Sequence, residues 1–259
     1  MDSYGNNEGD ALRLPHEGRA VQAGEIPPVP CESTEGRDRA ITSGCVGFTA
    51  EEADVVRRVI QTRRSTRFGY SKQKVSRKDL LDIVEAGVYA PSGANLQTCR
   101  FLIIDKPSDV QRIAKYRVSW PYITKVPKGG IIKYAPALIC VFSDTRIEMR
   151  SWSRHNGGVW EQLAPQDAAA AIENMLLMAH AKNMGACWVS AYQNMALTSC
   201  LSGWTWGDVL KGHNVPPHFI IQGMIMLGYH AEPWRGEVKH QGKPVKRRPV
   251  NEYVIGGST

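Results

Sequence analysis

Residues 166–191 read QDAAAAIENMLLMAHAKNMGACWVSA. Alanines, Ile172, Met175, Leu176, Leu177 and Met178 cover nearly every face at a period of 3.6, so the spacing predicts a helix over 166–184. A helix that is apolar all round must be covered all round, in the centre of a large core or between subunits. Gly185 is its expected end, because glycine takes the left-handed backbone that closes helices. Ala186–Tyr192 then reads as a strand.

Working outward, Phe101–Ile104, Ala135–Ser143 and Phe219–Gly228 are strand-length apolar runs without polar alternation, as expected of strands buried on both faces. Glu51 opens a helix with Val55, Val56, Val59 and Ile60 at helical spacing, acids in its first turn and Arg63 with Arg64 at its end, matching the helix dipole. Ser76 caps a second helix that runs to Ala90 before Pro91 stops it. A short helix is predicted over Ser108–Lys115, and further short helices around Ala196–Leu210. Strands alternating with helices favour α/β or α+β layering. No internal repeat or second core is evident, so one domain is expected over 48–259. Residues 1–47, rich in Gly, Pro, Glu and Ser (GEIPPVP at 24–30), sustain no period and read as a disordered or extended tail.

Composition narrows the function. The 259 residues are 42% hydrophobic and 22% charged, which excludes collagen-like, coiled-coil and wholly disordered chains. No apolar run reaches the roughly 18 residues of a spanning helix, and the N-terminus lacks a basic start and apolar core, so a cytoplasmic protein without membrane contact is expected. Six cysteines at 31, 45, 99, 140, 187 and 200 make no metal-ligand spacing and read as reduced thiols. The net charge of +7 is unevenly spread: residues 1–50 hold eight acids against four Arg, so the body is strongly basic. Such a body suits nucleic acid, an acidic membrane surface or a phosphorylated small molecule.

No GxGxxG, GxxxxGK, HExxH or GxSxG motif is present, so the chemistry is expected to come from a bound cofactor rather than a side-chain constellation. Arg63, Arg64, Ser65 and Arg67 form the string RRSTR where the chain leaves the first helix. Guanidinium forks and a hydroxyl within five residues suit a phosphate monoester, although alone they equally suit a solvated helix end. Lys246, Arg247 and Arg248 form a second cluster, and neither has the interleaved aromatics of a nucleic-acid site.

Taken in order, RRSTR (63–67), APSGANLQ (90–97) with Arg100 and Phe101, APALICV (135–141), the helix and strand over 166–191, LGYHAEP (227–233) and KRRPVNEYV (246–254) resemble the nitroreductase family of FMN-dependent oxidoreductases. The resemblance covers about residues 52–255. It implies an α+β, three-layer α/β/α fold with a central, mostly antiparallel sheet, in an intertwined homodimer with FMN at the interface. By resemblance, Arg63, Arg64, Ser65, Arg67 and Arg247 or Arg248 hold the FMN phosphate and ribityl chain. Pro91, Ser92, Gly93, Asn95 and Gln97 lie where the family's loop reaches the partner's flavin, and Val189, Ser190 and Ala191 match the strand end facing it. Ala94, Cys99, Trp120 and Tyr122 fall at the substrate pocket. The buried helix is then expected at the dimer interface, with His180 a satisfied core histidine.

The implied activity is ping-pong transfer of hydride from NADH or NADPH, through flavin, to an electron-poor small molecule such as a nitroaromatic or quinone, with no essential side-chain acid or base. One departure is Gln97-Thr98-Cys99, where many members have Gln-Pro-Trp; Cys99 reads as a small buried hydrophobe rather than a reactive thiol. Alternatives are a specialised flavin-dependent dehydrogenase or reductive dehalogenase, since PSGAN and KRRP also resemble the halotyrosine branch, and a non-catalytic basic binding module.

Overall fold

Ala137–Asp144 (β2) is buried along its whole length. Its continuous apolar run has that consequence because helices cover both faces of the sheet it belongs to. Ala137, Ile139 and Val141 face one core; Leu138, Cys140 and Phe142 face another. The computed structural model describes residues 47–116, 131–148, 159–190, 210, 212–232, 239–240, 243–244, 247 and 249–253. The predicted tail, the short helices around 196–210, Tyr192 and Lys246 lie outside them.

β2 pairs antiparallel with Cys99–Ile104 (β1) and with Phe219–Tyr229 (β4), and β4 pairs antiparallel with Met184–Ser190 (β3). Among the described strands, the order β1-β2-β4-β3 leaves β1 and β3 at the edges. Arg77–Val88 (α2) and Val159–Ala181 (α5) cover one face, where Leu80 and Ile83 meet Ile172, Met175 and Leu176; Pro107–Tyr116 (α3) covers the other with Val110, Ile113 and Ala114. The fold is therefore the expected α+β arrangement of three layers around an antiparallel sheet. Truncating Ile172 or Met175, both fully buried, to Ala costs about 2–5 kcal/mol at such sites.

Ala50–Thr62 (α1) opens with a capping box in which Thr49 and Glu52 satisfy each other's backbone N–H. Its predicted apolar stripe is real but uncovered: Val55, Val56 and Ile60 are each about half exposed. Further described elements are Thr145–Glu148 (α4), the short pair Lys239–His240 (β5) and Lys243–Pro244 (β6), and single 3-10 turns at Ile132–Tyr134 and Val250–Glu252.

The largest departures from expectation lie at α5 and the start of β3. α5 starts at Val159 and passes through Pro165 rather than starting at Gln166. It ends at Ala181, not at Gly185, because Asn183 takes the left-handed conformation (φ 57) that closes it. Gly185 belongs to β3, where a Cβ would come within 2.8 Å of Thr66 Cγ2 and 3.0 Å of His230 Cε1, so it is glycine for close approach and not for helix closure. α5 is also incompletely covered by its own chain: Met178 is 37% exposed and Glu173 lies at the surface.

Candidate functional site

The RRSTR string leaves α1 and docks along the outer edge of β3. Ser65 bridges Ala186 in parallel, and Thr66 N–H donates to the Ala186 carbonyl at 2.8 Å. The return is held by Tyr70, which bridges His230 and donates its hydroxyl to the Thr66 carbonyl, while Ala231 N–H donates to Gly69 O at 2.8 Å. Burial raises the Tyr70 phenol far above its usual range, so it stays a donor.

The four predicted phosphate ligands are thus on one short segment but differently engaged. Arg64 Nη1 donates to the carbonyls of Gln61 (2.6 Å) and Arg63 (2.7 Å), closing the C-terminus of α1. Arg63 Nε lies 3.5 Å from Glu173 of α5. Arg67 is exposed and has no ion pair among the described residues. The Cys187 thiol beside the string is pushed up by burial, against the opposing pull first of Arg67 and then of the Ser65 hydroxyl. Below the string, Thr62 Oγ1 lies 2.8 Å from His180 Nε2. Burial first, then Arg63, His230 and Arg64, hold His180 below its ordinary pKa, and burial does the same for His230.

The second cluster is the loop after α2. Gly93–Asn95 makes one 3-10 turn, and Ala94, Asn95 and Gln97 have φ of 49°, 55° and 50° without being glycine. Gly93 N–H donates to Asp167 Oδ1 at 2.9 Å, Thr98 Oγ1 lies 3.5 Å from Asp167 Oδ2, and Gln97 N–H donates to Ser92 Oγ at 2.9 Å. Pro91, Ser92, Gln97, Thr98 and Cys99 line a cleft of about 270 Å³ against α2 and α5. Cys99, half-buried at the cleft rather than fully buried, is pushed up to about 11, by burial first and then by Asp167, so its thiol is protonated at neutral pH. Arg100 Nη1 donates to the Gln97 carbonyl at 2.9 Å, and Asp144 at the end of β2 is held as a carboxylate, first by its bonds to Arg146.

A family model described as the nitroreductase family matches residues 60–229, a span containing the arginine string, the loop and all four sheet strands. The chain belongs to the nitroreductase family. This nitroreductase-family chain is 28% identical over 173 residues to a Methanothermobacter thermautotrophicus protein named, by inference, NADH dehydrogenase/NAD(P)H nitroreductase, covering 67% of this chain and 76% of that one. An FMN complex of an inferred nitroreductase from Desulfovibrio desulfuricans matches at 30% identity and a TM-score of 0.56, over 79% of this chain and 97% of that one. A Bacteroides fragilis nitroreductase with bound FMN matches at 25% identity and a TM-score of 0.53, over 79% and 98%.

Of the remaining sequence-predicted positions in this nitroreductase-family chain, Val189 packs its side chain into the α3-side core and Ser190 ends β3 at the surface. Arg247 is exposed. Ala191, Arg248, Trp120 and Tyr122 lie outside the described residues. Sequence reasoning missed Thr66, Asp167 and Thr98, which hold the two clusters in place. For Asp167 the signal was available, a lone acid at the head of an alanine run that must be buried.

Proposed function

We propose that the protein is an FMN-dependent oxidoreductase that takes electrons from NADH or NADPH and delivers them to an electron-poor small molecule, a nitroaromatic or quinone. The reading is carried by the arginine string on the edge of β3. Arg63, Ser65 and Arg67 offer charged donors and a hydroxyl from one backbone segment, and Arg67 is left without an ion pair among the described residues. That donor set fits the phosphate of FMN. Arg64 contributes by closing α1 and Arg247 by adding charge, while Ser190 ends the strand beside which the flavin ring would lie. Bound FMN supplies the redox chemistry, two-electron transfer from the nicotinamide to the acceptor. The protein's part is to bind, orient and exclude water; the Cys99 thiol is protonated and takes no nucleophilic part.

The site is completed by a second copy of the chain. Within one chain the loop is tied to Asp167, while the arginine segment is tied to Glu173, about 9 Å further along α5, and through Thr62 to His180, about 20 Å along it. The loop of one subunit and the arginines of the other meet across a homodimer seam, and the uncovered Val55, Val56 and Ile60 of α1 with Met178 of α5 supply its apolar surface.

An absorbance spectrum from about 300 to 550 nm before and after anaerobic NADPH, then NADH, tests the reading. Yellow protein that bleaches is the predicted result. Protein that stays colourless after added FMN contradicts it.

A further inference from the structure

We propose that Asp167 is a positioning residue that holds the 92–98 loop in its left-handed form and so sets how tightly the cofactor is kept; this rests on the reading that the loop faces the flavin. Ala94, Asn95 and Gln97 all have positive φ, a conformation that Ala and Gln in particular disfavour because of their Cβ. Strain of this kind persists only where the surroundings enforce it. The bonds from Gln97 N–H to Ser92 Oγ and from Asn95 N–H to the Ser92 carbonyl lie inside the loop and move with it.

What ties the loop to the body is the Asp167 carboxylate. One oxygen accepts from Gly93 N–H before the strained residues and the other faces the Thr98 hydroxyl after them, so a single side chain of α5 brackets the stretch. Asp167 is 7% exposed and Thr98 fully buried. Arg100 adds a second tie, to the Gln97 carbonyl, through a side chain that is 39% exposed. The described buried polar side chains, Thr98, Ser143, Asp144 and Asp167, all lie at this end of the sheet, where Ser143 pairs with Cys99 and Asp144 N–H donates to the Thr98 carbonyl. A carboxylate is costly to bury unless its oxygens are used, and here they are used on the loop.

The test uses full-length apoprotein with Asp167→Ala and Asp167→Asn, following amide hydrogen exchange at 93–97 and FMN affinity by flavin fluorescence. Asp167→Ala is expected to speed exchange and weaken FMN binding, each by about 10- to 100-fold. Asp167→Asn keeps an acceptor for Gly93 N–H and is expected to restore most of both. Unchanged exchange in the Ala variant, faster exchange with unchanged FMN affinity, or an Asn variant as impaired as Ala would each overturn the proposal. Wild-type protein that binds no FMN would instead overturn the flavin reading, and the exchange data would still decide whether Asp167 holds the loop.

Discussion

Thr66 donates its backbone N–H to the carbonyl of Ala186 at 2.8 Å, and this bond fixes the arginine string against the edge of β3. The string is therefore placed by the sheet and not by α1 alone. Gly185, the neighbour of Ala186, is where that docking is most easily broken.

Gly185→Val introduces a Cβ 2.8 Å from Thr66 Cγ2, 3.0 Å from His230 Cε1 and 3.1 Å from Thr66 Cβ, so Thr66 and His230 must shift to admit it. Destabilisation of about 1–3 kcal/mol is expected, as for other overpacked sites, together with loss of FMN retention. Thermal unfolding and flavin content of the purified variant check both.

Ala94→Gly addresses the loop strain. Glycine adopts φ 49° without the Cβ clash, and the relief exceeds its entropic cost, so a gain of about 0.5–1 kcal/mol is expected by denaturant titration.

Acid sensitivity has two sources with the same sign. Bonds from Lys182, Tyr229 and Ser76 lower Asp79 from 3.8 to about 2, so its stabilising contribution is present above its unfolded value and is lost as pH falls through that interval. Lys182→Met, which also removes the ion pair to Asp82, is expected to flatten this limb and cost about 1 kcal/mol at neutral pH.

His180 produces the milder limb. Its folded pKa lies below the ordinary 6.5, so the unfolded chain takes up the proton first and stability falls as pH drops below about that value. The titratable groups that lower it besides burial are Arg63, His230 and Arg64. Unfolding midpoints of wild type and His180→Gln between pH 7.5 and 5 are expected to converge as the wild type loses its advantage.

Much of the fold was legible because it depends on local pattern. The unbroken apolar run of β2 could only mean burial on both faces, and the alanine-rich helix could only mean an interior or interface position. The helix end was misread because Asn183 took the left-handed role usually given to glycine, while Gly185 answered to Thr66, a contact far away in sequence. The loop's three positive φ values fall on Ala94, Asn95 and Gln97 rather than on Gly93, in a stretch held by bonds to Asp167 and Arg100 that are distant in sequence or unreadable from it. Residue types named the candidate ligands; their separation along α5 is a tertiary fact that no spacing rule contains.

An FMN site built from two chains can be restored by mixing two differently disabled variants. One variant carries Arg63→Ala and Arg67→Ala, the other Asn95→Ala and Gln97→Ala, and each alone should retain little FMN. After unfolding and refolding together, half of a random population of symmetric dimers is mixed, and each mixed dimer has one intact site, so about a quarter of the wild-type flavin content should return. Recovery no greater than the sum of the separate variants would contradict a site shared between subunits.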